Sequence, residues 1–540
     1  MRKILVTVGL PYANGSLHLG HTLEHIQADI WVRWQKLCGN DCIFICGDDA
    51  HGTPIMLSAQ KQNISPEDFI TKIKTEHEKD CADFLIDFDN YYTTHSVENQ
   101  DLVTSIYRQL QTNHDIDQHT IEQLYDAQAQ MFLPDRFVKG TCPRCRAENQ
   151  YGDSCEACGT TYSPAELINP LSVISNTTPI KKTSVHYFFK LEKYAALLQQ
   201  WMKQALQPEI IHKLNEWFAV GLKPWDISRD EPYFGFQIPD HPNKYFYVWL
   251  DAPIGYMASF KNLCSKTKLD FAEYWRKNSP TELYHFVGKD IIYFHALFWP
   301  AILMSVNYRE PTAIFTHGFL TINGQKMSKS RGTFITTRAY LNQLKPDYLR
   351  YYLAAKLTDS VDDIDLSFSD FISRVNSDLV GKIVNIASRC ASFLSKNFNN
   401  KLAATCDAQL FANFLREAAS LETAYEKREF GSAVRIIMAL ADQANQYIDQ
   451  KKPWTLSKQS PTNSEIQQIC TVGLNFFRLL ILFLKPIVPQ LAKDSENFLG
   501  IKPLTWNDRT SLLLDHQINA FKPLLQRIEE AQIKGLFSHE

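Results

Sequence analysis

No apolar run in this chain reaches membrane-spanning length. The most apolar stretch, Leu474–Leu484, is eleven residues long and is broken by Asn475 and Arg478, so it reads as a buried core helix rather than a span. Charge of one sign is also missing: 56 Lys and Arg stand against 59 Asp and Glu, a net −3, which rules out a uniformly basic nucleic-acid binder but not a local basic face. There is no internal repeat and no low-complexity tract. Met1-Arg2-Lys3 precedes an apolar run that stops at Pro11 without a small-residue cleavage site, so a first β-strand explains it better than a secretion signal, and a cytoplasmic protein is expected. No GxxxxGK[ST] loop is present, because Gly288-Lys289-Asp290 lacks the upstream glycine and the Ser/Thr, and a Walker-type ATPase is excluded. At 540 residues the chain is too long for a single core, and three to four domains are expected.

What is present begins at Pro11–His21, PYANGSLHLGH. It follows the apolar run Ile4–Val8 and precedes Leu23, Ile26, Ile30, Trp34 and Leu37, whose spacings of three and four predict a helix. A strand, a small-residue loop and a helix start make an anion site, since helix-terminal N–H groups and the dipole favour negative charge. The loop carries His18 and His21, and Gly20 lets a ligand come close to the backbone. Far downstream stands Lys326-Met327-Ser328-Lys329-Ser330, followed by Arg331, with Gly324 and Gly332 as hinges. Two ammonium groups, two hydroxyls and a guanidinium there suit a polyanion clamp. From Lys326 to Lys356 seven Lys or Arg face one acid, Asp347, a local +6 that marks a candidate RNA-contacting face. Asp359, Asp362, Asp363, Asp365, Asp370 and Asp378 then reverse the sign, and the two blocks are expected on different faces of one small domain.

Of twelve cysteines, eight are scattered and read as reduced, mostly buried thiols. The other four form Cys142-x-x-Cys145 and Cys155-x-x-Cys158, two knuckles able to place four thiolates around one Zn²⁺. With no spare ligand position, the zinc is expected to be structural. Cys42–Cys46 reads as a second strand, closing a βαβ unit that ends in Gly47-Asp48-Asp49-Ala50-His51-Gly52, and polar residues there point into the crevice of a parallel sheet. After about residue 385 the pattern is wholly helical, with Phe411, Phe414, Leu415, Ala418 and Leu421, then Phe430, Ala433, Ile436, Ile437, Leu440 and Ala444, at helical spacing.

The HLGH turn and the KMSKS loop together are the two signatures of class I aminoacyl-tRNA synthetases. From Met1 to the C-terminus the chain resembles the methionyl-tRNA synthetases of that class, in GLPYANGS, YVWLDAPIGY and GKDIIYFH as well as the cysteine knuckle. The resemblance implies an α/β fold: a Rossmann-like parallel-sheet catalytic domain at 1–115 and 229–325, split by a connective insertion at 116–228 whose zinc knuckle is 142–158. A KMSKS and stem-contact domain at 326–384 and an all-α anticodon-binding bundle at 385–540 would follow. It implies ATP, L-methionine and tRNA(Met) with the CAU anticodon as partners, no membrane, and Mg²⁺ with ATP. It also implies a monomer, because nothing corresponds to the family's further dimerising domain.

By the same resemblance His18, Gly20, His21, Lys326 and Lys329 would hold ATP, with the two histidines and two lysines catalytic. Asp49 would meet the substrate ammonium, with Asp48 a possible confusion, and Arg229 would lie near its carboxylate. Leu10, Tyr12, Trp249, Ala252, Pro253, Tyr256, Ile291 and His295 would wall the side chain. Tyr256 and His295 are expected to offer donors to the thioether, a weak acceptor. Asn385 and Arg389, four apart on one helix face, and Trp454, in a turn begun by Pro453, would read the anticodon by stacking and base-edge contacts. The family's valine, isoleucine and leucine enzymes carry a far longer insertion, and the cysteine enzyme keeps its zinc in the nucleotide fold. A nucleotidylyltransferase shares the HxGH turn without the bundle or the KMSKS-type loop. A non-catalytic RNA-binding relative would lack the four catalytic residues present here.

Overall fold

A computed structural model describes residues 1–160, 162–327 and 333–537. Its centre is a five-stranded, all-parallel sheet. In chain order its strands are β1 (Lys3–Val8), β2 (Asp41–Asp48), β3 (Asn90–Thr93), β4 (Glu282–Gly288) and β5 (Ala313–His317), and in space they lie 5-4-1-2-3. The order reverses between β1 and β4, so the crevice for a ligand opens at the carboxyl end of β1. There the chain enters the helix Leu19–Leu37, whose apolar face of Leu23, Ile26, Ile30 and Trp34 is buried.

Between β3 and β4 the chain leaves this sheet. Strands Ile116–Asp126, Met131–Phe132, Ile180–Phe189 and Trp225–Asp226 form a separate antiparallel sheet, and a three-stranded sheet of Val138–Thr141, Gln150–Tyr151 and Ile168–Ser172 carries the cysteine knuckle. After β5 a small sheet pairs Leu320–Ile322 with Gln325–Lys326 and Ile364–Leu366, and helices follow from Phe368.

Two sequence expectations change here. Three of the seven basic residues of 326–356 are paired within the protein: Arg350 is fully buried and donates to Asp29 Oδ2 at 2.6 Å and Ile487 O at 2.8 Å, Arg338 pairs with Asp80 and Asp83, and Lys356 pairs with Asp370 at 2.6 Å, while Lys329 and Arg331 lie outside the described residues. The last pair also joins the basic and acidic blocks, which therefore do not occupy separate faces. Arg350 instead ties the helix behind HLGH to the C-terminal bundle, and its charge is available to no ligand.

The bundle is also less uniformly helical than its periodicity predicts. Beyond helix Pro489–Leu499, residues 500–529 carry only the 3₁₀ turn Trp506–Thr510 before the helix Glu530–Gly535. Asn475 holds this strap through Leu513, accepting from its N–H at 2.8 Å and donating to its carbonyl at 3.0 Å, and Arg478 donates to Asp508 O and Ser511 O. The two polar residues that interrupt the apolar run are thus the strap's anchors. Their helix, Ser464–Leu484, is long and apolar enough to cross a membrane by length and composition, and 89% of its apolar window is packed inside the protein.

Candidate functional site

A cleft of about 990 Å³ opens where β1 and β4 diverge. His18 caps the helix Leu19–Leu37, its Nδ1 accepting from Gly20 N at 3.1 Å, and His21 Nδ1 accepts in turn from His18 N at 3.4 Å. An imidazole nitrogen that accepts carries no proton, so in both rings the hydrogen sits on Nε2. Burial and then the neighbouring His18 push the His21 pKa well below that of free histidine, which keeps this ring neutral. The rings stack with centroids 3.8 Å apart. A Cβ on Gly20 would come within 2.9 Å of the His18 ring and of Met327 Cε, so glycine is required there by the histidine and the downstream loop rather than by ligand approach alone.

The crossing of Tyr12 and Asp49 as a parallel bridge beside β2 places both on the cleft wall. Asp48 and Asp49 differ in their partners and in which of them reaches the cleft. Asp48 accepts from Tyr91 OH and from His77 at 2.8 Å and does not line the cleft. Asp49 lines it, buried, and its Oδ1 has no hydrogen-bond partner among the described residues. Burial, and then the charge of Asp251, hold the Asp49 pKa well above the usual carboxylate range. Such a carboxyl is poised for a cation.

All ten residues expected to hold methionine line this one cleft, together with His18, Gly20, His21 and Lys326. Lys329 lies outside the described residues. Trp249 stacks face to face on Phe294, centroids 3.6 Å apart and planes 5° apart, a partner the sequence did not single out. Tyr256 OH and His295 Nε2 are 2.8 Å apart, and His295 Nδ1 lies 3.0 Å from Ile291 O. A carbonyl only accepts, so Nδ1 carries the proton of a ring that burial keeps neutral by pushing its pKa down to about 4, and Tyr256 donates to Nε2. Both donors expected for the thioether are therefore spent within the protein, and the pocket meets a side chain with polarizable walls alone. The sequence reading also missed the Glu24–His317 pair at 3.1 Å, and Tyr233, Tyr247 and Phe319, all on the cleft wall. Glu24, His317, Tyr233 and Phe319 are brought in by tertiary folding from outside the motifs, whereas Tyr247 opens YVWLDAPIGY.

Arg229 lies on the strand Ser228–Asp230, its guanidinium 3.6 Å from the centre of the Tyr247 ring and its Nη1 3.1 Å from Asp226 Oδ2. Across the cleft stand residues 132–137 and Asp153, so the knuckle module forms part of its wall. In the knuckle the four Sγ atoms lie within 4.8 Å of one another, with Cys142–Cys158 at 3.9 Å and Cys145–Cys155 at 3.5 Å. Zn–S bonds of about 2.3 Å imply a tetrahedral edge of about 3.8 Å, which these distances match. Cys145 N and Cys158 N each donate to the Sγ three residues back at 3.4 Å, as thiolate ligands require. These four residues can hold a zinc ion.

At the far end, helix Asn385–Asn397 presents Arg389 with its guanidinium 5.0 Å from the centre of the Trp454 ring, and Arg389 pairs with Asp449 at 2.5 Å. Trp454 is 37% exposed. Pro453 opens the short helix Pro453–Gln459 rather than a turn, its ring occupying a first-turn position where no N–H is needed.

Residues 4–391 match the family of class I tRNA synthetases (M), and residues 400–535 match the anticodon-binding domain of methionyl-tRNA ligase. The chain belongs to the methionyl-tRNA synthetase family. Its activity is that of a methionine–tRNA ligase, with ATP, methionine and transfer RNA as substrates. Among solved structures, methionyl-tRNA synthetase of Mycobacterium tuberculosis bound by methionyl-adenylate superimposes with a TM-score of 0.80 at 24% identity, over 97% of this chain and 100% of that one. A second structure of the same enzyme in complex with methionyl-adenylate gives 0.79 at 25% identity, over 97% and 99%. The apo form gives 0.74 at 23%, over 98% and 99%.

Proposed function

We propose that this synthetase activates methionine in the cleft at the end of β1 and passes it, through methionyl-adenylate, to a transfer RNA read by Asn385, Arg389 and Trp454. The observation that carries the reading is the convergence of Asp49, Arg229, the apolar wall and the HLGH histidines on one cavity. Methionine's ammonium pairs with Asp49 and its carboxylate lies by Arg229. Its thioether chain lies among Leu10, Tyr12, Trp249, Ala252, Pro253, Tyr256, Ile291 and His295. A carboxylate oxygen attacks the α-phosphorus of ATP; the new O–P bond forms as the bond to the bridging oxygen breaks, and pyrophosphate leaves. A carboxylate is already a nucleophile at neutral pH, so no general base is needed, and catalysis is positioning plus stabilisation of phosphate charge. The Nε2–H groups of His18 and His21 serve the α- and β-phosphates, Gly20 gives them room by having no side chain, and Lys326 and Lys329 serve the leaving pyrophosphate. Mg²⁺ carried in with ATP neutralises further charge on the triphosphate. The terminal ribose hydroxyl of the RNA then attacks the acyl carbon and AMP departs.

The same reading divides the chain into catalytic halves 1–115 and 229–325, an insertion at 116–228, a stem-contact domain at 326–384 and a bundle at 385–540, and makes the protein a cytoplasmic monomer. It assigns the zinc a structural role. Elemental analysis should find one zinc per chain, and Cys155→Ser should lose it together with protection from hydrogen exchange around residues 140–160. Because Asp153 borders the cleft, adenylate formation should slow in that variant. A rate that tracks titration of a metal-bound water would contradict the structural role.

The charging assay tests the bundle. A transfer RNA with the CAU anticodon should be aminoacylated in preference to the same RNA with an altered anticodon. Trp454→Ala should weaken RNA recognition by about 1–3 kcal/mol, the worth of one stacked base, with little change in salt dependence since an indole neutralises no phosphate. Amino-acid activation should be untouched. An equal fall in activation would make Trp454 a support of the fold only.

A further inference from the structure

His186 takes no part in the chemistry above, yet it sits behind Arg229. It lies on the strand Ile180–Phe189 of the insertion, 1% exposed, with Nδ1 2.7 Å from Asp226 Oδ2 and Nε2 3.0 Å from Asp230 Oδ2. Ionised carboxylates only accept, so a ring flanked by two of them must donate from both nitrogens and is an imidazolium. The same Asp226 Oδ2 receives Arg229 Nη1 at 3.1 Å, while Asp226 Oδ1 is fixed by Ser228 N and Oγ at 3.0 and 3.1 Å. Asp230 is held on its other oxygen by Lys244 at 2.5 Å and Ser184 at 2.9 Å. His186 and Arg229 thus compete for one oxygen of one carboxylate. We propose that His186 is a positioning residue for methionine binding: by sharing Asp226 it orients the Arg229 guanidinium and leaves part of its charge for the substrate carboxylate.

Charge counting supports this. Arg229, Lys244 and protonated His186 stand against Asp226 and Asp230, with Asp135 also facing Arg229, and a neutral ring removes one positive charge from this cluster and one donor from the two carboxylates. Neutral imidazole would also turn a lone pair toward one of the carboxylates. Burial opposes the charged ring, but the two carboxylates prevail and raise its pKa, and Asp230 is held down to about 2 against its own burial by His186, Lys244 and Ser184. The titratable groups around the ring are Asp226, Asp230 and Lys244, with Arg229 beyond Asp226 and His119 opposite on the neighbouring strand. Because His186 belongs to the insertion sheet, and Asp226 to the strand paired with it, the insertion holds the residue that sets the carboxylate subsite.

The inference rests on Arg229 meeting the methionine carboxylate, and the test separates the two. The dissociation constants of methionine and of methioninol, which has the same side chain and amine but no carboxylate, are measured by equilibrium dialysis between pH 6 and 8.5. Their ratio cancels Asp49 and the shared amine. In the unmodified enzyme the preference for methionine should decline as pH rises through the raised His186 pKa. In His186→Gln, which is neutral at every pH and brings no positive charge between the carboxylates, it should be at least about tenfold smaller at low pH and no longer vary, the scale of one charge-assisted hydrogen bond. Equal loss of both ligands, or an unchanged preference, overturns the proposal. Arg229→Gln is the control: if it abolishes the preference and His186→Gln does not, the inference about His186 falls alone; if it keeps the preference, the carboxylate reading of Arg229 falls and takes the inference with it. Should His186→Gln not fold, the profile of the unmodified enzyme decides, a slope supporting the proposal and a flat ratio overturning it.

Discussion

Asp49→Asn is expected to weaken methionine binding by about two orders of magnitude or more while leaving ATP binding nearly unchanged. The carboxyl is buried, its Oδ1 has no partner among the described residues, and burial and Asp251 raise its pKa, so its charge is costly in the cleft and the substrate ammonium offsets that cost. Removing one member of such a buried pair is worth about 3–5 kcal/mol. The sign of the pH dependence follows. Only the ionised carboxylate pairs with the ammonium, so methionine affinity should rise with pH through the raised Asp49 pKa and be lost as pH falls below it, and the asparagine variant should lack that dependence. Dialysis against labelled methionine checks both; an asparagine variant of ordinary affinity would place the ammonium elsewhere.

Lys329→Ala should lower adenylate formation about 10²–10³-fold, the usual effect of deleting one donor to developing charge. The methionine dissociation constant should hardly move, because a clamp on the leaving group acts in the transition state and not on the amino acid. Lys326, on the short strand Gln325–Lys326 with its side chain on the cleft, should behave in the same direction. Pre-steady-state adenylate formation separates rate from affinity; a dissociation constant rising as steeply as the rate falls would remove both lysines from the leaving group.

What the sequence made legible was local. The strand, loop and helix start at HLGH, the four cysteines at knuckle spacing and the alternation of strand and helix are set by neighbours within a few residues, and all are present. The ten methionine-site positions were carried by motif resemblance, and folding gathers them round one cavity. What stayed hidden depends on partners far along the chain. Arg350 counted as a surface cation until Asp29 was seen to meet it 321 residues away. Tyr256 and His295 looked like free donors until their bonds to each other and to Ile291 were traced. Asp48 and Asp49 are indistinguishable by type, and it is folding that places His77 and Tyr91 on the first and the second on the cleft wall. Periodicity likewise overstated the bundle, since the strap at 500–529 is held by side chains of the helix it crosses and has no repeat of its own.

The most direct measurement is amino-acid-dependent exchange of labelled pyrophosphate into ATP, run with each of the twenty amino acids and no transfer RNA. It reports the first step alone, in the cleft alone. Exchange with methionine far above that with every other amino acid, abolished by Asp49→Asn at subsaturating methionine, is the predicted result. Comparable exchange with another amino acid, or none with methionine while the protein is folded and zinc-loaded, would contradict it.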